Sequence, residues 1–228
     1  MFPIHDDNPT LRAPVVTWAL VILTGAVWVM VQGAGLAPAR FEAAICSFGA
    51  IPAEVTGEGG LSAGPCAGGG LGAEAMLTSI FLHGGWLHLI GNLWFLWIFG
   101  NNVEDSMGRG RFVAFYLLTG LAAAGAHIAS DPGSVVPMVG ASGAISGVMG
   151  GYLVLFPRAR VKTLLVLLVF VTVVDLPAFV YLGYWFLIQL MSSGSVASAG
   201  VAFWAHIGGF AAGVLLIPLF RRRRATSS

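Results

Sequence analysis

Apolar residues in this chain come in six long runs: Val15 to Gln32, Met76 to Asn101, Phe112 to Ser130, Val139 to Phe156, Leu164 to Leu190 and Gly200 to Phe220. A helix needs roughly 20 predominantly apolar residues to cross a bilayer, so the pattern predicts six membrane-spanning helices. An even number of crossings puts both termini on one side. The first run imitates a signal peptide, but its 18 residues exceed the roughly 7–15 of a signal's apolar core, which predicts a retained span. The fifth run is too long for one perpendicular span and is broken at Asp175-Leu176-Pro177. Proline favours a first helical turn and disfavours a helix interior, so the helix is expected to start at Pro177. That leaves Leu164 to Val174 as an interfacial or kinked lead-in, with Asp175 near the cytoplasmic headgroups.

Composition agrees with this pattern. Hydrophobic residues make up 57% of the chain and charged residues 9%, against about 25% charged in soluble domains, and the mean hydropathy is +0.86. The expected fold class is all-α, a polytopic membrane protein with a six-helix bundle. It forms one domain over 1–228, with a short cytoplasmic segment 1–14, a long outer loop 33–75 and a basic cytoplasmic tail 221–228. Short cytoplasmic loops retain positive charge. Arg12, Arg109, Arg111, Arg158, Arg160, Lys162 and Arg221 to Arg224 all fall on one side of the six runs, and Arg40 alone falls on the other. This places both termini in the cytoplasm. The Arg221-Arg222-Arg223-Arg224 run reads as a stop-transfer and headgroup anchor, and with a net charge of +1 nothing points to nucleic acid. The bilayer itself is the expected partner.

In the outer loop, Phe41, Ile45, Phe48, Ile51 and Val55 suggest an amphipathic interfacial piece, and the glycine-rich stretch Gly57 to Gly72 predicts mobile chain. Cys46 and Cys66, the only cysteines, both lie there. An oxidising outer compartment suits a disulfide, while two unpaired small side chains fit the spacing as well.

In lipid, backbone groups pair internally and polar side chains inside spans must face protein or water. The polar residues therefore mark a site. His83, His88 and Asn92 lie in the second run, His127 in the third, Ser142 and Ser146 in the fourth, and His206 opens the sixth. By the predicted topology, the starts of runs two, four and six share the outer side. His88 and Asn92, four apart, share a helical face; His83 points elsewhere unless the helix starts later, as Gly84-Gly85 allows. Gly143, Gly147 and Gly151 on one helix and Ala205, Gly209 and Gly213 on the other form rows of small residues that permit close packing. Meshing those rows brings Ser142 and His206 together.

These elements resemble the rhomboid family of intramembrane serine proteases: Gly140-Ala141-Ser142-Gly143 opening run four, His83-x4-His88-x3-Asn92 in run two, and Ala205-His206-x2-Gly209-x3-Gly213 in run six. The resemblance covers nearly the whole chain. It implies a Ser-His dyad, with Ser142 as nucleophile and His206 as general base and then general acid. It further implies an oxyanion hole of His88, Asn92 and the Ser142 N–H, with Gly140 leaving room for the substrate carbonyl. His83 would be a supporting histidine and Glu104 a structural acid fixing the inner end of span two. One departure is that Gly33 to Ala75 lacks the Trp-Arg pair of many members, having no tryptophan and only Arg40.

The expected activity is that of a serine-type endopeptidase cleaving transmembrane helices of other membrane proteins, in a bacterial plasma membrane. Substrate would enter laterally between spans two and five, and Trp185 and Phe186, facing Trp94 or Phe95, are either gate residues or lipid-facing aromatics. Ser146 is expected to bond within its own helix and His127 to be an interfacial or packed histidine. No cofactor or metal is expected, since a zinc protease wants a nearby carboxylate that spans two, four and six do not supply. A catalytically silent family member that only binds membrane clients is the alternative, and a metal-binding or transport protein is a weaker one, lacking an inverted repeat.

Overall fold

The computed structural model describes residues 1–58, 64–66, 69–167, 170–193 and 201–222. Much of the glycine-rich stretch expected to be mobile, the start of the sixth apolar run and the end of the basic tail lie outside the described residues.

The chain opens with strand β1 (Phe2–Asp6) and helix α1 (Val15–Met30). The segment after α1 carries α2 (Pro38–Phe48) and α3 (Pro52–Thr56), each begun by a proline at its first position, where the missing N–H costs nothing. A short turn of helix, α4 (Ala75–Thr78), precedes α5 (Trp86–Met107), followed by α6 (Arg109–Ser130) and α7 (Ser142–Leu155). Strands β2 (Arg160–Leu167) and β3 (Phe170–Pro177) lead into α8 (Ala178–Ser192), and α9 (Phe203–Phe220) closes the bundle. Each of the six apolar runs contains a helix. By length and composition alone, α6 and α9 are long and apolar enough to cross a membrane, while α1, α7 and α8 are apolar but shorter, with 16, 14 and 15 residues.

Two boundaries differ from expectation. The second helix begins at Trp86 and not at Met76, because Gly84-Gly85 breaks the run and His83 lies before it. The lead-in to the fifth helix is a β-hairpin, which corrects the all-α expectation: β1, β2 and β3 form a three-stranded antiparallel sheet in that order. Residues 161–174 are rich in valine and threonine, whose branched side chains suit a pleated surface, and periodicity alone does not separate such a run from a buried helix. The register sets Lys162 opposite Asp175, an opposite-charge cross-strand pair. The helix does start where Pro177 predicts, with Pro177 as its N-cap.

Helix α7 is the centre of the molecule, with every residue from Gly143 to Tyr152 buried. Its composition follows from that position, because neighbours on all sides need small residues to approach. A side chain on Gly213 would run into the Gly147 carbonyl, and one on Gly209 into the Gly143 carbonyl. The rows of small residues read from the sequence are thus the contact between α7 and α9, while Thr119 and Ala123 of α6 fill the space beside Gly147 and Gly143. Towards the other end, Phe99, Tyr152 and Tyr181 form an aromatic cluster, with Phe99 and Tyr152 edge-to-face at 5.0 Å. There β1 is locked in place: the buried Asp6 carboxylate accepts from Tyr152 Oη and, at 2.9 Å, from Asn102 Nδ2. Burial pushes the Asp6 carboxyl above its usual range, and the Tyr152 hydrogen bond opposes the shift.

Glu104 is buried, and its bonds tie its end of α5 to the start of α1. Its carboxylate accepts from the Val16 N–H at 3.0 Å, the Thr17 N–H at 2.8 Å and Thr17 Oγ1 at 2.9 Å. It therefore caps α1, whose own N-cap residue, Pro14, offers no side-chain bond. An anion at a helix N-terminus is favoured by the free N–H groups and the macrodipole. Glu104→Ala is expected to lower the unfolding free energy by about 2–4 kcal/mol, measured by thermal unfolding in detergent.

In the segment from α2 to α4, a Cys46–Cys66 disulfide closes a 20-residue separation, resolving the alternatives left by the sequence. Ile51, Ala53 and Cys66 form a small cluster of their own. A two-bond bridge between Ala50 and Met138 ties this loop to the segment leading into α7.

Candidate active site

Ser142 is the first residue of α7, and His206 lies in the first turn of α9. Their side chains meet: His206 Nε2 is 2.8 Å from Ser142 Oγ, a good distance for a hydroxyl donating to an imidazole nitrogen. Two features bring them together. The small-residue contact draws the helices close, and both residues stand at the same end of that contact. The Ser142 hydroxyl borders a narrow crevice lined by Met76, Met138, Gly140 and Ala202.

The backbone before the serine turns sharply. Gly140 has φ +133°, a conformation that L side chains rarely adopt, and its N–H donates to the Ser79 carbonyl at 2.9 Å. A Cβ at this position would lie 2.8 Å from His88 Nε2 and Cε1 and 3.5 Å from Ser142 Oγ. The His88 ring thus lies across Gly140, beside the serine. His88 Nδ1 accepts from the Gly84 N–H at 3.2 Å, so in the neutral ring the proton sits on Nε2, the nitrogen facing the site. Asn92, one turn along α5, is 7% exposed, and its Nδ2 has no partner among the described residues. A buried amide with free hydrogens is a standing donor. The Ser142 N–H, in the first turn of α7, adds a third donor at the positive end of the helix.

His83 is fully buried, and both its ring nitrogens lack partners among the described residues. Its ring packs edge-to-face on His88 at 5.1 Å. Its backbone is clamped by Gln32, which donates to the His83 carbonyl at 2.7 Å and accepts from its N–H at 2.9 Å. Ser146 Oγ donates to the Ser142 carbonyl at 2.6 Å, within its own helix as expected. His127 lies on α6 with its Nδ1 buried.

Sequence reasoning passed over Gln32, which clamps His83, and Gln189. Gln189 of α8 places its Oε1 2.8 Å from His206 Nδ1. A search for serines, histidines and carboxylates does not reach it; the available signal is that it is the one amide in Ala178–Ser192. The aromatic residues one turn away pack on α9. Trp185 stacks towards His206 and Phe210, each at 6.0 Å, and Phe186 stacks on Phe210 at 4.7 Å. Both side chains are thus engaged with α9. Trp94 of α5 instead donates to the Pro3 carbonyl at 2.7 Å.

A hydroxyl bonded to an imidazole, with a histidine ring lying beside it across Gly140, is equipment suited to acyl transfer. Comparisons with known proteins point the same way. The Rhomboid domain model matches residues 73–223, the part holding every site residue named above except Gln32. The chain is 45% identical over 78 residues to the rhomboid protease GluP of Bacillus subtilis, covering 34% of this chain and 15% of that one. It is 36% identical over 78 residues to the putative rhomboid protease YdcA of the same species, covering 34% and 39%. It is 30% identical over 152 residues to the mitochondrial Rhomboid protein 1 of Saccharomyces cerevisiae, covering 62% and 40%. The matched segments span well under half the length of these relatives.

Proposed function

Because this chain belongs to the rhomboid family, whose members are integral membrane proteins and mostly proteases, we propose that it is an intramembrane serine endopeptidase cutting transmembrane helices of other membrane proteins. The observation that carries the reading is the 2.8 Å contact between Ser142 Oγ and His206 Nε2. Ser142 Oγ attacks the scissile carbonyl as its proton passes to His206 Nε2. The tetrahedral oxyanion is held by His88 Nε2–H, Asn92 Nδ2–H and the Ser142 N–H. His206 then protonates the leaving amine, and a water activated by the same imidazole releases the acyl group. Gly140 keeps the carbonyl's approach open, and His83 supports the His88 ring from behind.

In this reading the chain is one domain, α1 and α5 to α9 cross the plasma membrane of a bacterium, both termini are cytoplasmic, and the bilayer is its partner. The 14 residues of α7 rise about 21 Å, short of the roughly 30 Å of hydrocarbon. With its inner end at the cytoplasmic boundary, its Ser142 end lies below the outer headgroups, where water enters from the outer face. Substrate enters laterally between α5 and α8, and helices that unwind readily, with glycine or proline in the span and a small residue before the cut, are the expected substrates. The reaction calls for no cofactor, metal or nucleic acid.

The test is cleavage of tagged model transmembrane substrates by purified protein in detergent, for wild type and Ser142→Ala, with and without a chelator. Cleavage lost in the variant and indifferent to the chelator supports the reading. Absence of wild-type cleavage on several substrates favours a client-binding protein, and cleavage surviving Ser142→Ala rules out the serine mechanism.

A further inference from the structure

Gln189 is 7% exposed on a helix whose Leu187, Ile188, Leu190 and Met191 all face outwards. An amide in such surroundings is costly unless both its ends are bonded. Both are: Nε2 donates to the Trp185 carbonyl at 3.4 Å, and Oε1 meets His206 Nδ1 at 2.8 Å. The first bond fixes the second. A backbone carbonyl only accepts, so the NH2 end of the amide belongs at Trp185 and the oxygen belongs at the ring. Because Oε1 also only accepts, Nδ1 carries the imidazole hydrogen. A neutral ring protonated at Nδ1 has its lone pair on Nε2, the atom 2.8 Å from Ser142 Oγ.

We propose that Gln189 is a positioning residue, whose side-chain oxygen holds His206 in the one tautomer able to take the proton of Ser142. The site is then a Ser142–His206–Gln189 chain built from α7, α9 and α8. The proposal rests on the endopeptidase reading for its catalytic meaning and on the geometry alone for the tautomer. A neutral amide suits this depth: it orients the ring and partners the imidazolium formed during attack, without the desolvation cost of a carboxylate in an apolar layer. Amides occupy the third position in the Cys-His-Asn proteases for the same orienting task. Trp185, one turn earlier on the same face, packs against the His206 ring at 6.0 Å, so α8 controls both the tilt and the torsion of the imidazole. Helix α8 also flanks the proposed entry route, and the chain is complete only while α8 sits against α9.

The experiment combines kinetics with nitrogen NMR on histidine-labelled protein in detergent. Gln189→Met keeps the side-chain length and removes the acceptor; Gln189→Glu keeps an acceptor. The expected result is a kcat loss on the order of 10- to 10²-fold for Gln189→Met with KM nearly unchanged, and recovery of most of it in Gln189→Glu. His206 should carry its hydrogen on Nδ1 in the wild type and as a mixture of tautomers in Gln189→Met. A folded Gln189→Met with wild-type kcat overturns the proposal, as does equal loss in both variants with the tautomer unchanged. The wild-type spectrum decides independently of folding in the variants: a hydrogen on Nε2 overturns the proposal outright. If wild-type protein cleaves nothing, the endopeptidase reading fails while the spectrum still tests the tautomer.

Discussion

His206→Ala is expected to lower kcat by about 10⁴- to 10⁶-fold while leaving KM within a few-fold and lowering the unfolding temperature modestly, because the buried Gln189 Oε1 loses its partner. The serine hydroxyl is a weak nucleophile without a base, and among the described residues His206 Nε2, 2.8 Å away, is the only side-chain acceptor on Ser142 Oγ. In the proposed mechanism the same ring returns the proton to the leaving amine, so its removal disables both halves of the reaction. Because the two residues act as a unit, the Ser142→Ala/His206→Ala double variant should be no slower than the worse single one. Single-turnover cleavage of a fluorogenic transmembrane substrate measures this, with thermal unfolding as the control for folding. Strictly multiplicative losses would mean that the pair does not work together, and the dyad would have to be abandoned.

Asn92→Ala and His88→Ala are each expected to cost about 10²- to 10³-fold in kcat, or about 2.7–4 kcal/mol of transition-state stabilisation. Asn92 Nδ2 is buried without a partner among the described residues, and His88 presents its Nε2 across Gly140. These donors carry little load before reaction and bond only when charge develops on the substrate oxygen, so their loss should appear in kcat and spare KM. Asn92→Ala also removes a buried donor that has no partner to leave stranded, so stability should hold or rise slightly. His88→Ala frees the Gly84 N–H and should loosen the turn before α5 as well. Equal loss of kcat and of unfolding free energy in Asn92→Ala would assign it a packing role instead.

The sequence was most readable where one physical requirement governs many positions. Close approach of α7 and α9 demands small residues every fourth position, and the glycine and alanine rows could be seen, with Ser142 and His206 at their ends. Pro177 likewise announced the start of α8, since proline suits only a helix's first turn. What escaped depends on partners distant in sequence. The β2–β3 hairpin lies in an apolar, valine-rich run that serves a buried helix equally well, and only pairing with Phe2–Asp6 distinguishes the two. Glu104 reads as an acid near the end of its own helix, yet its bonds go to the start of α1, 87 and 88 positions away. Gln189 carries no catalytic signature by type; its place beside His206 is a product of how α8 lies on α9.

The three-stranded sheet imposes a timetable on synthesis. Phe2–Asp6 leaves the ribosome roughly 160 residues before Val161–Leu164, the strand it pairs with. Until then β1 must wait unpaired at the membrane surface, with the Asp6 carboxylate lacking its Tyr152 and Asn102 partners. The last stitch of this face therefore closes only after the whole of α7 has emerged, and fusions placed directly against Phe2 should obstruct maturation more than the same fusions attached beyond the final arginines.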